Sequence, residues 1–468
     1  MNTDRSARAP RSRSAKRLPI AASARCVACM LLMLFGTTRA FATDGELDPG
    51  FSGDGVAWAG WARPATGAAR IARGADARIV VAATIADGIN RNFAAARFSR
   101  DGAIDTAFGF LGLRTIGIDL VADGRDTLLG TFVLADAKTM LLGTAQAPDG
   151  AAIPALVRLT AGGNADPSFG SDGRRVIGTA PWPLADVSIK AVARQADGRY
   201  VFAGHCHDCP GEHAAVALRV DAEGVADASF GDAGWASLAL PPATHIEDVA
   251  IDAQGRIVLA GYEGDPANDD HNPVLARFLP DGSADPAFGA GIGYVRLTGI
   301  ADAPVGGWMG HALAPDRDGS LLLALATDED RDSLRAGIVR VRANGTRDIE
   351  FAVAGLRLLD LDNGATIDAL AVQSDGGIVA AGSINHAGSG SDVLIVRLRA
   401  DGSFDSGFDG NGLVRHALDA QTDRAFALAL ADGRPLIAGV AQRSDSWDGF
   451  AIRLSSDLIF TDGLDRAP

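Results

Sequence analysis

The stretch Asp166-Pro-Ser-Phe169-Gly170-Ser-Asp-Gly173 decides the fold, because its core does not occur once. Asp-x-x-Phe returns with the Phe at positions 51, 108, 169, 230, 288, 351 and 408, at intervals of 57 to 63 residues. A unit of this size used seven times signals a propeller or solenoid, in which each copy buries its apolar faces against its neighbours.

Working outward from the Phe, each unit contains four short apolar segments separated by turns, here called strands a to d. Unit six shows all four: Thr366 to Gln373, the turn Ser374-Asp375-Gly376, Gly377 to Gly382, then Asp392 to Leu398 and the Phe408 segment. Asp-Gly and Asn-Gly supply the positive φ of tight hairpins. Strand b is apolar almost throughout, as in Ile79–Ala83, Tyr200–Ala203 and Ile378–Ala381. Such a strand is buried on both faces, which stacked blades provide and a single open sheet does not. Helical periodicity is absent after residue 42.

The ends define closure. Leu47–Trp58 carries a strand d with no a, b or c before it, whereas Arg424–Leu454 supplies a, b and c without a good d after them. The expected fold is therefore all-β: a single seven-bladed propeller of four-stranded blades, the N-terminal strand closing the last blade. Ile459–Asp465 is a rival for that edge. The expected domains are a signal peptide at 1–42, the propeller at 43–457 and a short tail at 458–468.

The pattern Asp-x-x-Phe-Gly-x-x-Gly, with Gln195-Ala-Asp197-Gly198-Arg199 followed by Ala203-Gly204, resembles the delta-60 repeat, a bacterial family assigned to β-propellers. The resemblance spans almost the whole chain after the leader. It implies the fold and no catalytic residues.

Residues 1–42 read as a secretory leader: a basic segment from Arg5 to Arg25, the apolar run Cys26–Phe35, and the small-x-small site Ala40-Phe41-Ala42. That run is too short to span a bilayer. The expected destination is the periplasm, the cell surface or the medium. The formal charge of −15 less the leader's +7 leaves −22 on the remainder. Such a chain repels nucleic acid and anionic membranes. No membrane insertion is expected, and a monomer is.

Three features compete as sites. Strand c always carries one arginine, Arg97, Arg158, Arg219, Arg277, Arg340, Arg397 and Arg453. A ring of arginines could line an anion channel, but recurrence in every unit favours a structural Arg–Asp pair. In a four-strand meander the a–b and c–d turns share one end, while the unit-specific b–c and d–a loops share the other. On that variable face lie Trp61, Trp182, Trp308 and Trp447, candidate rings for a glycan, peptide or protein, with packing over their own blades as the alternative. Acidic clusters there (Asp265, Asp269 and Asp270; Asp328, Glu329, Asp330 and Asp332; the Asp360-x-Asp362-x-Gly364 run) read as solvated loops.

The third is His205-Cys206-His207-Asp208-Cys209 with His213, in the b–c loop of unit three. His205, Cys206, His207, Cys209 and His213 could bind zinc or copper. A Cys206–Cys209 disulfide, natural after export, or free thiols are the alternatives. The expected function is a non-enzymatic binding scaffold. The rivals are a metal-assisted hydrolase or lyase using the His205–His213 loop, and a structural or adhesive surface protein. Neither Gly-x-Ser-x-Gly nor His-Glu-x-x-His is present.

Overall fold

The computed structural model describes residues 44–455 except 62, 179–180, 182–185, 210–212, 265–269, 301–305, 328–333, 360, 362, 387–389, 419–420 and 445. The leader, Trp182, the tail and most of the acidic loop residues thus lie outside the described residues.

Seven antiparallel meanders form the ring. Blade one comprises Arg70–Arg73, Ile79–Asp87, Asn90–Phe98 and Leu113–Ile116, and blades two to six repeat the a-b-c-d order. In blade seven, strands Asp423–Ala431, Arg434–Arg443 and Ser446–Arg453 are completed by Val56–Trp58, with Val56 opposite Ile452 and Trp58 opposite Phe450. The N-terminal strand therefore holds the edge for which Ile459–Asp465 was a rival. Among the described residues there is no α-helix, and no helix long and apolar enough to cross a membrane.

The seams between blades explain the repeat. In every blade the strand-c arginine donates from Nε to the Asp three residues before the Phe, at 2.7–2.9 Å. The other carboxylate oxygen of that Asp accepts the N–H two residues on, as Asp48 does from Gly50, which fixes the c–d turn. The guanidinium lies over the Phe ring, 4.2–5.0 Å from its centroid. Its Nη1 then crosses to the next blade. Arg97 reaches the Ala161 carbonyl and Arg277 the Ala343 carbonyl. The strand-c arginines are thus paired at the seams and do not line an anion channel.

Each Phe is at most 1% exposed, packed under a turn glycine of the following blade. A Cβ at Gly163, whose φ is +78°, would stand 2.8 Å from the Phe108 ring and 2.4 Å from the Gly109 nitrogen. At the last seam strand d comes from the other end, so among the described residues no c–d turn follows strand c. Asp44-Gly45 takes its place: Asp409 N–H donates to the Asp44 carbonyl at 3.0 Å, Arg397 pairs with the Asp44 carboxylate, and Gly45 sits on Phe408. At Gly45, with φ +103°, a Cβ would meet Val414 at 2.8 Å.

Strand a lines the central channel and is bulged in six blades, at Leu129, Lys190, Glu247, His311, Asp368 and Phe426. The bulge brings strand a so close to strand b that a Cβ at Gly204 would stand 1.9 Å from the Ser188 carbonyl oxygen. This accounts for the glycine of the recurring Ala-Gly pair.

Closure through Asp44-Gly45 predicts that Gly45→Val lowers stability by about 2–4 kcal/mol, from positive φ plus overpacking. Gly53→Ala, at a glycine with nothing within 4 Å of the new Cβ, serves as the control and should cost about 1 kcal/mol. Urea unfolding midpoints of the two variants check this.

Candidate functional site

The tryptophans divide by environment. Trp308 is 1% exposed, in the cluster of Leu297, Ile300 and Leu321. Trp61 is 8% exposed and lies against Gly449, where a Cβ would stand 2.4 Å from its ring. Both rings are thus buried in their blade clusters, which is the packing alternative weighed for them. Trp447 is half-buried against the cluster that holds Trp61.

In the His205–His213 loop, Cys206 and Cys209 are joined as a disulfide. Their sulfurs are thereby occupied, and among the described residues no three His, Cys, Asp or Glu side chains form a group that could hold a metal ion. The histidines instead form an aromatic chain across the seam of blades three and four. The His205 ring is 5.2 Å from His207 and 5.0 Å from His245, and His207 is 5.5 Å from His213. His245 in turn stacks on Tyr262 at 5.1 Å. His205 Nδ1 accepts the Ile246 N–H at 3.1 Å. Burial, then the neighbouring His245, Lys190 and His207, press its pKa down to about 3, so it stays neutral.

No sequence motif marks the residues of the central channel. Its cavity of about 280 Å³ is lined by strand a of all seven blades. The bulges turn Lys190, Glu247, His311 and Asp368 toward it, and Arg70 and Asp248 join them. All six are half-buried. Hydrogen bonds hold some of them in place. Arg70 Nε donates to the Leu129 carbonyl at 2.8 Å, Asp248 accepts the N–H groups of Val249 and Leu313, and Asp368 accepts the Thr366 hydroxyl. Among the described residues, none of these charged groups has an opposite charge within 4.0 Å. Burial lifts the Asp248 and Asp368 carboxyls to about 6, against the hydrogen bonds each accepts and then the pull of cations, Arg70 on Asp248 and Arg424 followed by Arg70 on Asp368. Burial likewise lowers Arg70, which Asp248 and Asp368 oppose.

A signal for these residues did exist. An ionisable residue interrupts an otherwise apolar strand in Val-Ser-Ile-Lys190-Ala-Val, Ile-Glu247-Asp248-Val-Ala and Thr-Ile-Asp368-Ala-Leu. Only the strand-a assignment makes them face one another.

Comparison with known proteins adds the repeat and no activity. Residues 254–288 and 373–408 match a family described as a domain of unknown function (DUF5122) beta-propeller. Each match starts at an a–b turn and ends at the anchor Phe. The chain is therefore a β-propeller repeat protein. No curated protein matches it.

Solved structures of similar shape include a protein of unknown function from Dyadobacter fermentans, at 12% identity and TM-score 0.43, covering 88% of this chain and 97% of that one. The polysaccharide lyase Uly1 is similar at 11% identity and TM-score 0.47, covering 80% of this chain and 88% of that one. Trypanosoma rangeli sialidase, in complex with the inhibitor DANA, is similar at 9% identity and TM-score 0.40. That match covers 84% of this chain and 55% of the sialidase.

Two predictions follow from these placements. Trp308→Ala should destabilise the protein by about 3–5 kcal/mol, as loss of a buried ring does, measured by denaturant unfolding. For Asp368, the folded carboxyl titrates near 6, above its unfolded value. Its neutral form therefore contributes stability below about pH 4, and this is lost as pH rises through about 6. Asp368→Asn stays neutral and can still accept from Thr366. It should match the wild type near pH 4 and exceed it by roughly 1–2 kcal/mol at pH 7.5, a figure reduced for screening by channel water. Thermal unfolding across this range checks the sign.

Proposed function

We propose that this chain is an exported, non-enzymatic propeller of the delta-60 type that binds a ligand at its central channel, with the variable loops around the channel mouth. The carrying observation is the contrast between two sets of charges. Around the seams each strand-c arginine meets a carboxylate, whereas the channel holds Arg70, Lys190, Glu247, Asp248 and Asp368 without an ion pair. Enclosed, uncompensated charge is costly and is characteristic of sites where a ligand completes the pairing.

In this reading residues 1–42 direct export, the oxidising destination sustains the Cys206–Cys209 bond, and the mature protein is a monomer. Zinc or copper at the His/Cys loop is not required. The half-buried Trp447 remains as a lesser contact for a glycan, peptide or protein partner on the loop face.

One observation favours a second reading, a hydrolase or lyase. Asp248 and Asp368 stay protonated to about pH 6 beside one cavity, as catalytic acids do. Turnover of a sugar or peptide substrate that is lost in Asp368→Asn would establish it and end the non-enzymatic account.

Thermal-shift and titration screens of sugars, peptides and small metabolites test the binding reading. A ligand whose binding fails in Arg70→Met and persists in Trp447→Ala is the expected result. Binding that survives Arg70→Met and fails in Trp447→Ala would contradict the channel as the site. Thiol titration of the denatured, unreduced mature protein should find no free thiol; two reactive thiols would remove the disulfide.

A further inference from the structure

The channel charges are ordered around the ring. Blades one and three contribute Arg70 and Lys190, with Phe426 and Leu129 flanking Arg70 on blades seven and two. Blades four and six contribute Glu247, Asp248 and Asp368, with His311 between them. One arc is therefore cationic with apolar flanks, and the facing arc is acidic. Arg70 senses Asp248 and Asp368, and Lys190 senses Glu247, yet each gap exceeds the 4.0 Å of an ion pair.

From this geometry we infer that the channel takes a small zwitterion carrying both a carboxylate and an ammonium group, a free amino acid or a short peptide. The inference rests on the channel being the binding site. The carboxylate would sit on the Arg70 N–H groups not used by its Nε and Nη1 bonds to the Leu129 and Ala69 carbonyls. The ammonium would lie toward Asp248 and Asp368, and an apolar substituent would rest along Phe426 and Leu129. Each end of the ligand spans a gap that the protein's own side chains leave open.

Other charge types fit worse. A dicarboxylate satisfies Arg70 and Lys190 and meets three acidic side chains. A polyamine satisfies the acids and meets two cations. Either leaves one arc enclosed and uncompensated, which costs more than leaving the channel to water. A neutral sugar leaves both arcs unpaired. The strong net negative charge of the chain also disfavours entry of a free anion, whereas a zwitterion carries no net charge through that field.

The test uses the exported protein and the twenty free amino acids, then di- and tripeptides, by thermal shift and calorimetric titration. The best binder is compared with its amide, which lacks the carboxylate, and its des-amino acid, which lacks the ammonium. Each single-charge analogue should bind at least about tenfold more weakly, the loss of one charge-assisted contact. Arg70→Met should erase discrimination against the amide, and Arg70→Lys should restore part of it. Amino acids and peptides are told apart by which panel binds.

Analogues that bind as well as the parent would overturn the zwitterion. If a sugar or polyamine binds in an Arg70-dependent manner and no zwitterion does, this inference falls and the channel reading stands. If nothing in any panel binds in an Arg70-dependent manner, with variant folding confirmed by circular dichroism, both fall.

Discussion

The structure depends on one contact made seven times: a strand-c arginine clamped between its own Asp and Phe while reaching into the next blade. The guanidinium satisfies the turn carboxylate, covers the ring and carries a hydrogen bond across the seam. Planarity matters, since only a fork can do all three in a fixed geometry. At Arg277, 0% exposed, the desolvation cost is large enough to lower its pKa despite Asp285. The other groups at the seam must repay that cost. Repetition then makes the ring, since each clamp orients the blade that bears the next.

Closure is the same contact assembled from two ends of the chain. Blade seven lacks a continuous c–d turn, and Asp44-Gly45 stands in for the Asp-Gly of turns such as Asp101-Gly102 and Asp401-Gly402. Asp44-Gly45 and Val56–Trp58 thus carry the final seam as well as the final strand.

The anchors Asp166 and Phe169, the arginines and the edge strand at Val56–Trp58 were legible in the sequence because identical packing demands identical residues in every blade. The candidate site was legible only in part. Lys190, Glu247, His311 and Asp368 come from four blades and share no sequence neighbourhood; a bulge aims each of them. Loop position left the tryptophans open between binding and packing, and Trp308 and Trp61 fill spaces that backbone at Gly337 and Gly449 leaves open. The Asp44-Gly45 cap went unread because its partner turn is absent from the linear repeat. The outcome is an outer set of charges compensated by the fold and an inner set that, among the described residues, forms no ion pair.

A double-mutant cycle on Arg277 and Asp285, using Arg277→Met, Asp285→Ala and the pair in urea unfolding, tests the clamp most directly. The account predicts costs of about 3–5 kcal/mol for each single variant and a coupling of at least about 2 kcal/mol between them. Single variants that cost under about 1 kcal/mol, or a coupling near zero, would contradict it.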